Sequence, residues 1–291
     1  MSDRIVQELW DDHAAWSVTA DRLKSSRSLW RLAALILTVA GAALQTWASA
    51  IAQPKSLIGM IGFVFLAFVP FITAKFLAPD GTGKWLRARS ISEAIKSEIF
   101  WCRAGADPYA GPDALENLRR KVREIRSWGK GLELDRARAV APPNQAPPPL
   151  DPDGYLKARV HQQISTYYRP KARLNARRAE QARWLETAFA ALAALLGAYA
   201  SFAGSKAFGP WVAVLTTSGG SISAHAAAGR YDFQATTFFA TAQQLEDLSH
   251  DWQMPAKSAP SKEWTEFVRD CETVISAENR GWMAKLDQNQ G

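Results

Sequence analysis

The sequence predicts an all-α integral membrane protein: two tandem transmembrane helical hairpins with long amphipathic cytosolic helices. Three observations predict it. Four apolar stretches are long enough to cross a bilayer, short turns join them in pairs, and the segments around them carry apolar residues at helical spacing. A mean hydropathy of only −0.18 excludes a chain made mainly of lipid-facing helices and leaves room for large polar helical parts.

The first stretch, LAALILTVAGAALQTWASAI, and the second, LIGMIGFVFLAFVPFITA, contain no charge and define spans at about 32–51 and 57–77. The third, TAFAALAALLGAYASFAG, and the fourth, FGPWVAVLTTSGGSISAHAAAG, define spans at about 185–204 and 208–229. A hydrocarbon core about 30 Å thick needs roughly 17–25 helical residues, so each qualifies by length. A soluble helix keeps a polar face, and the first two stretches have none beyond scattered Thr, Gln and Ser. The fourth is the most polar, but its small residues suit close helix packing in a membrane.

Ala52-Gln53-Pro54-Lys55-Ser56 joins the first pair and Ser205-Lys206-Ala207 the second, so each pair must form an antiparallel hairpin. Positive charge sets orientation. Arg22, Lys24, Arg27 and Arg31 precede the first span, and Arg169, Lys171, Arg173, Arg177, Arg178 and Arg183 precede the third, whereas each turn carries one Lys. Both hairpins then point outward and both termini lie in the cytosol, in a multi-pass membrane protein. Trp30, Trp47, Trp85, Trp184 and Trp211 fall near span ends, where interfacial aromatics concentrate.

Outside the spans the period is helical. Tyr231, Phe238, Ala242, Leu245, Leu248 and Trp252 form one stripe, and Trp264, Phe267, Cys271, Val274 and Trp282 another. Leu115, Leu118, Val122 and Ile125 mark a basic helix, and Ser261 after Pro260 marks a helix start. The proline-rich stretch APPNQAPPPLDPDG forbids a helix over 141–154 and reads as a linker. It divides an N-terminal module, 1–140, from a C-terminal module, 155–291, with the same architectural order in each. That is a parallel tandem repeat rather than an inverted one.

Catalysis finds little support. Cys102 and Cys271 form no disulfide framework or zinc spacing, and His13, His161, His225 and His250 form no His-x-x-x-His pair. Gly81-Thr-Gly-Lys84 lacks the full phosphate-loop spacing and reads as a turn. The first 20 residues contain Asp3, Glu8, Asp11 and Asp12, unlike a signal peptide. No enzyme, cofactor or metal is expected.

The second half resembles a known family. YLKARVHQQISTYYRPKARLNARRAEQARWLETAFAAL, with Tyr155, Arg159, Gln163, Tyr167, Tyr168, Lys171, Ala172 and Asn175, looks like the start of a SLATT domain, a two-span effector domain of bacterial conflict systems. GRYDFQATTFFATAQQLEDL and CETVISAENRGWMAKL, with Glu278, Asn279 and Trp282, resemble its later helices. Together they extend the resemblance over 151–288. The first half, 8–137, resembles a more divergent member through WSVTADRLKSSRSLWRLAALI and KWLRARSISEAIKSEIFWCRAGADPY. Pro170 departs from the pattern and is expected to kink the leading helix. The resemblance implies an antiviral defence effector that forms pores as an oligomer. It also implies a trigger from a cytosolic nucleotide-sensing or nucleotidyltransferase partner.

Polar residues inside spans should face protein or water. Thr38, Gln45 and Ser49 share one face of the first span, and Ser218, Ser221 and His225 one face of the fourth. They are candidate pore-facing residues, with hydrogen bonding between helices as the simpler alternative. Arg22, Lys24, Arg27, Arg31, Arg173, Arg177, Arg178 and Arg183 are candidate contacts to anionic lipid headgroups. The run Arg119, Arg120, Lys121 and Arg123 lacks interleaved aromatics for base stacking, so direct nucleotide or nucleic-acid binding is the weaker reading. The competing function is a non-catalytic membrane scaffold that recruits a cytosolic partner through its helices.

Overall fold

The computed structural model describes residues 2–50, 55–205, 207–252 and 262–288, with side chains for all of these except 2, 55, 56, 79 and 278–288. The expected turn residues Ala52, Gln53, Pro54 and Lys206, the helix start at Pro260 and Ser261, and the side chains of Glu278, Asn279 and Trp282 lie outside the described set. Among the described residues the fold is all-α, with no strand.

The elements are α1 (Ser2–Ala50), α2 (Lys55–Phe76), α3 (Pro79–Arg103), α4 (Ala114–Ser127), α5 (Glu133–Ala137) and α6 (Pro152–Tyr155). Two π-helical turns follow, Leu156–His161 and Gln163–Tyr168, and then α7 (Arg169–Phe202), α8 (Gly209–Gly229), α9 (Tyr231–Trp252) and α10 (Lys262–Gln288). Contacts group these into two compact units. One comprises 1–25, 80–172 and 236–291; the other comprises 26–79 and 173–235. Each unit draws residues from both sides of the proline-rich stretch.

The larger unit is a helical bundle around one core. Ile91, Ile95 and Ile99 of α3 are fully buried at helical spacing, with Leu118, Val122 and Ile125 of α4. From the other side of the proline-rich stretch come Tyr155, Val160, Leu245, Trp264, Val268 and Cys271. Leu118, Val122 and Ile125 of α4, Phe238, Ala242 and Leu245 of α9, and Trp264, Phe267 and Cys271 of α10 are buried, as their spacing predicts. The indole of Trp264 donates to the carbonyl of Ala104 at 2.9 Å, which satisfies its one polar atom in the core.

The proline-rich segment has no regular secondary structure from 139 to 151 and is strapped down. Gln7 accepts from the Ala146 amide at 2.9 Å and donates to the Asn144 carbonyl at 2.7 Å. The Leu150 amide donates to the Arg103 carbonyl at 2.8 Å. Asp151 then caps α6 by accepting from the Gly154 amide at 2.7 Å, with Pro152 at the first helical position.

The smaller unit contains the apolar helices. Among the described residues three helices are long and apolar enough to cross a membrane: Asp3–Ala50, Leu57–Phe76, and the continuous helical run Pro152–Phe202. Only 6–11% of their apolar windows is buried within the chain. Ile36, Phe63, Phe68, Leu195 and Phe202 are among the side chains left exposed, a surface that water would solvate poorly and lipid solvates well. This supports a membrane protein. α8, the expected fourth span, does not reach that apolarity, because Thr216, Thr217, Ser218, Ser221 and Ser223 interrupt it.

Both hairpins close through small residues. A Cβ on Gly62 would meet the Gln45 amide nitrogen and the Gly41 carbonyl oxygen at 3.1 Å, so α1 and α2 touch nearly backbone to backbone. α7 and α8 run antiparallel, with Gly197 beside Val212, Gly219 beside Phe189, and Tyr199 against Phe208.

Candidate functional site

A buried charge cluster lies in the larger unit, and the π-helical turns build it. In an ordinary α-helix the faces drift by 3.6 residues per turn. A π-helical stretch closes i→i+5 bonds and widens the turn. That keeps Tyr155, Arg159, Ile164, Tyr168 and Ala172 all buried on one side, at steps of four or five. Pro170 sits in the second position of α7, directly after this wide stretch. The change of helical pitch falls immediately before the position of the expected kink. Ser165 and Thr166 donate to the carbonyls of His161 and Gln162 at 2.7 and 2.6 Å, adding partners for that altered backbone.

Arg159 and Glu272 are 1% and 2% exposed and form a two-pronged pair, Nε to Oε1 at 2.8 Å and Nη2 to Oε2 at 2.7 Å. The Tyr155 hydroxyl donates to Oε1 at 2.9 Å and the Ser97 hydroxyl to Oε2 at 2.7 Å, so four hydrogen bonds saturate the carboxylate. The guanidinium also lies 4.6 Å from the ring centre of Phe100. One turn away on α3, Arg89 pairs with Glu93 at 2.7 Å and donates to the Tyr167 hydroxyl at 3.2 Å. With its oxygen turned toward the cations, the Gln163 amide accepts from Lys96 Nζ at 3.0 Å and Arg159 Nη1 at 3.2 Å.

Electrostatics follow from that crowding. Burial pushes the Glu93 carboxyl up, but Arg89, Lys96 and Arg159 outweigh it and hold it at about 2. Burial, reinforced by Arg159 and Arg89, lowers Lys96 to about 8 against the opposing pull of Glu93 and Glu272. The Cys271 thiol is pushed up by burial and then by Glu272 and Asp270, which makes it a packing residue rather than a nucleophile. The cluster joins α3, the π-helical turns and α10, and its geometry is that of a structural lock.

His13 lies at its edge, with Nδ1 2.9 Å from both the carbonyl and the hydroxyl oxygen of Ser92. Burial, and then Lys96, lowers its pKa from 6.5 to about 4, against a weaker upward pull from Glu93 and the Ser92 hydrogen bond. Arg89 adds a small further lowering. The unfolded chain therefore holds more protons than the native one between those two values, and stability falls as pH drops through that window. Replacing His13 by Gln is expected to flatten this slope, read as denaturation midpoints from pH 7 to 4 (~the window set by the ordinary and shifted values).

Of the expected pore-facing residues, Thr38 donates to the Ala34 carbonyl at 2.8 Å and Ser49 to the Thr46 carbonyl at 2.6 Å, each within its own helix. Gln45 donates across the hairpin to the Gly59 carbonyl at 2.8 Å. Ser218 is buried and donates to the Val214 carbonyl at 2.7 Å, and Ser221 is half-buried. His225 is also half-buried, and its Nδ1 is buried without a hydrogen-bond partner.

The basic residues divide. Arg27 donates to the carbonyls of Ala78 and Leu77 at 2.9 and 3.2 Å, just past the end of α2. Arg31, one turn on, donates to the Ala228 carbonyl at 2.9 Å, in the last turn of α8. Both therefore act on helix C-termini, where cations compensate unpaired carbonyls. Arg22 lies 3.9 Å from Asp135, and Lys24 sits 5.4 Å over the Trp85 ring. Arg173 and Arg177 are exposed. Arg178 stacks over Tyr231 at 5.8 Å, and Arg183 pairs with Asp232 at 2.8 Å.

Residues 155–282 match the family model described as SMODS and SLOG-associating 2TM effector domain 1. Residues 14–117 match a second family, described as protein of unknown function (DUF4231). No protein with a curated description and no solved structure matches the chain.

Proposed function

We propose that this SLATT-domain protein is a membrane effector of prokaryotic antiphage and conflict defence that assembles into an oligomeric pore when a cytosolic nucleotide-signalling partner triggers it. In this reading the chain sits in the bacterial inner membrane with both termini cytosolic, and the three strongly apolar helices span together with the more polar α8, which closes the second hairpin. The N-terminal module, 1–140, is taken as a divergent counterpart of the C-terminal one.

The observation that carries the reading is the apolar, unburied surface of the hairpins, with polar groups set among it. An unsatisfied buried polar atom costs about 1–3 kcal/mol, and the Nδ1 of His225 is one. Water in an assembled lumen, or a second subunit, would satisfy it. The helices of a single chain enclose too little space for a water column, so conduction requires several copies.

Voltage-dye imaging of cells expressing the protein with and without its neighbouring operon tests this. Depolarisation only with the partner present is the expected result; unchanged potential together with partner capture by pull-down supports the scaffold reading instead. That alternative draws on the exposed basic residues Arg119, Arg120 and Arg123 of α4. His225→Ala is expected to alter single-channel conductance in planar bilayers without reducing membrane insertion. Identical current would remove His225 from the lumen.

A further inference from the structure

A cleft of about 380 Å³ opens in the smaller unit where α7 begins its apolar stretch and α8 ends its own. Arg183 and Glu186 of α7, Arg230 between α8 and α9, and Asp232 of α9 line it, and alanines of α7 and α8 keep it open. Trp184 and Leu185, which follow Arg183 in α7, are 69% and 50% exposed. The volume falls near the low end of small-molecule sites, about 300–1,000 Å³.

Arg230 has φ 52 and ψ 38, the left-handed conformation that terminates α8, and it is the only non-glycine residue with positive φ among the described residues. Glycine fills such helix ends without steric cost, whereas an L side chain is strained there. Gly229 precedes it and leaves room for the Tyr231 ring, since a Cβ at 229 would come within 2.6 Å of it. The chain thus uses glycine one position early and holds an arginine at the strained site. The Arg230 guanidinium lies 4.3 Å over the Phe233 ring, and the Arg183–Asp232 pair is 62% and 73% exposed, a pair that a ligand can separate at little cost.

We infer that this cleft binds the headgroup of a zwitterionic phospholipid bearing a primary ammonium, with Arg183 and Arg230 on the phosphodiester and Glu186 and Asp232 on the ammonium. Two guanidiniums and two carboxylates in one small cleft match a ligand of both signs better than a purely anionic one. Guanidinium is the preferred partner of phosphate oxygens. A lipid supplies this headgroup at the level where a span ends, with its chains against the exposed apolar side chains of α7. The inference rests on the membrane reading and on nothing in the pore mechanism.

The test uses the full chain in nanodiscs containing phosphatidylethanolamine, phosphatidylglycerol or phosphatidylcholine, with lipid retention read by native mass spectrometry. Phosphatidylethanolamine should be retained preferentially. Arg230→Gly should weaken that retention about tenfold, the equivalent of one charge-assisted hydrogen bond, while thermal stability in detergent is unchanged or raised because the strain is gone. Glu186→Gln should erase the preference for phosphatidylethanolamine over phosphatidylglycerol. Equal retention of all three lipids, or wild-type retention by Arg230→Gly, overturns the assignment. Soluble glycerophosphoethanolamine competing as well as the lipid overturns the lipid as its source. Loss of the chain from carbonate-washed membranes marks failure of the membrane reading itself.

Discussion

Replacing Glu272 by alanine is expected to destabilise the protein by about 3–5 kcal/mol, the cost of leaving a buried charge without its partner. The guanidinium of Arg159 is 1% exposed and would lose both prongs of its pair, and Tyr155 and Ser97 would lose their acceptor. The double substitution Arg159→Met and Glu272→Leu should recover much of that loss, because two apolar side chains of similar size need no partners. Chemical denaturation of the detergent-solubilised chain, followed by tryptophan fluorescence, measures both, since Trp252 and Trp264 pack against each other with ring centres 5.3 Å apart. A single mutant as stable as the wild type would show the pair to be energetically neutral.

The second large effect concerns the two sides of the proline-rich segment. Expressed alone, residues 155–291 are expected to lose cooperative unfolding of the larger unit, and residues 1–140 likewise. Their buried side chains share one core: Ile91, Ile99 and Leu118 from one side, Tyr155, Leu245 and Trp264 from the other. Exposing two or three such residues costs about 1.5–3 kcal/mol each, which rivals the whole stability of a domain, about 5–15 kcal/mol. Co-expression of the two pieces should restore protection, measured by hydrogen exchange at the α3 and α10 amides. Full protection in either piece alone would show that each module folds independently.

Much of the architecture could be read in advance, because burial imposes a period. The stripe Leu118, Val122, Ile125 and the stripe Trp264, Phe267, Cys271 both turned inward as spacing demanded. The family resemblance also pointed to Tyr155, Arg159 and Tyr168, yet the nine positions from Arg159 to Tyr168, taken through Ile164 as a step of five and one of four, drift off one α-helical face, and the π-helical backbone that unites them has no sequence signature. Glu272 lies in CETVISAENRGWMAKL, where no neighbouring residue marks it as buried or paired. Its pairing with Arg159 spans 113 positions, and spacing rules reach only one or two helical turns. Arg89, Glu93 and Lys96 did carry a signal: three charges lie within the stretch of α3 that buries Ala88, Ile91, Ser92, Ile95 and Ile99. Arg27 and Arg31 show the opposite difficulty. A cation flanking a span suits a phosphate headgroup or a helix carbonyl equally well, and only the fold places Leu77, Ala78 and Ala228 within reach.

The segment from 139 to 151 looks from composition like a loose tether, but Gln7, Arg103 and the amides of Ala146 and Leu150 pin it along its course. A protease that clips the peptide there would sever the covalent thread while leaving the joint between the pieces untouched. The nicked molecule should then migrate as one particle on a sizing column and as two bands once denatured.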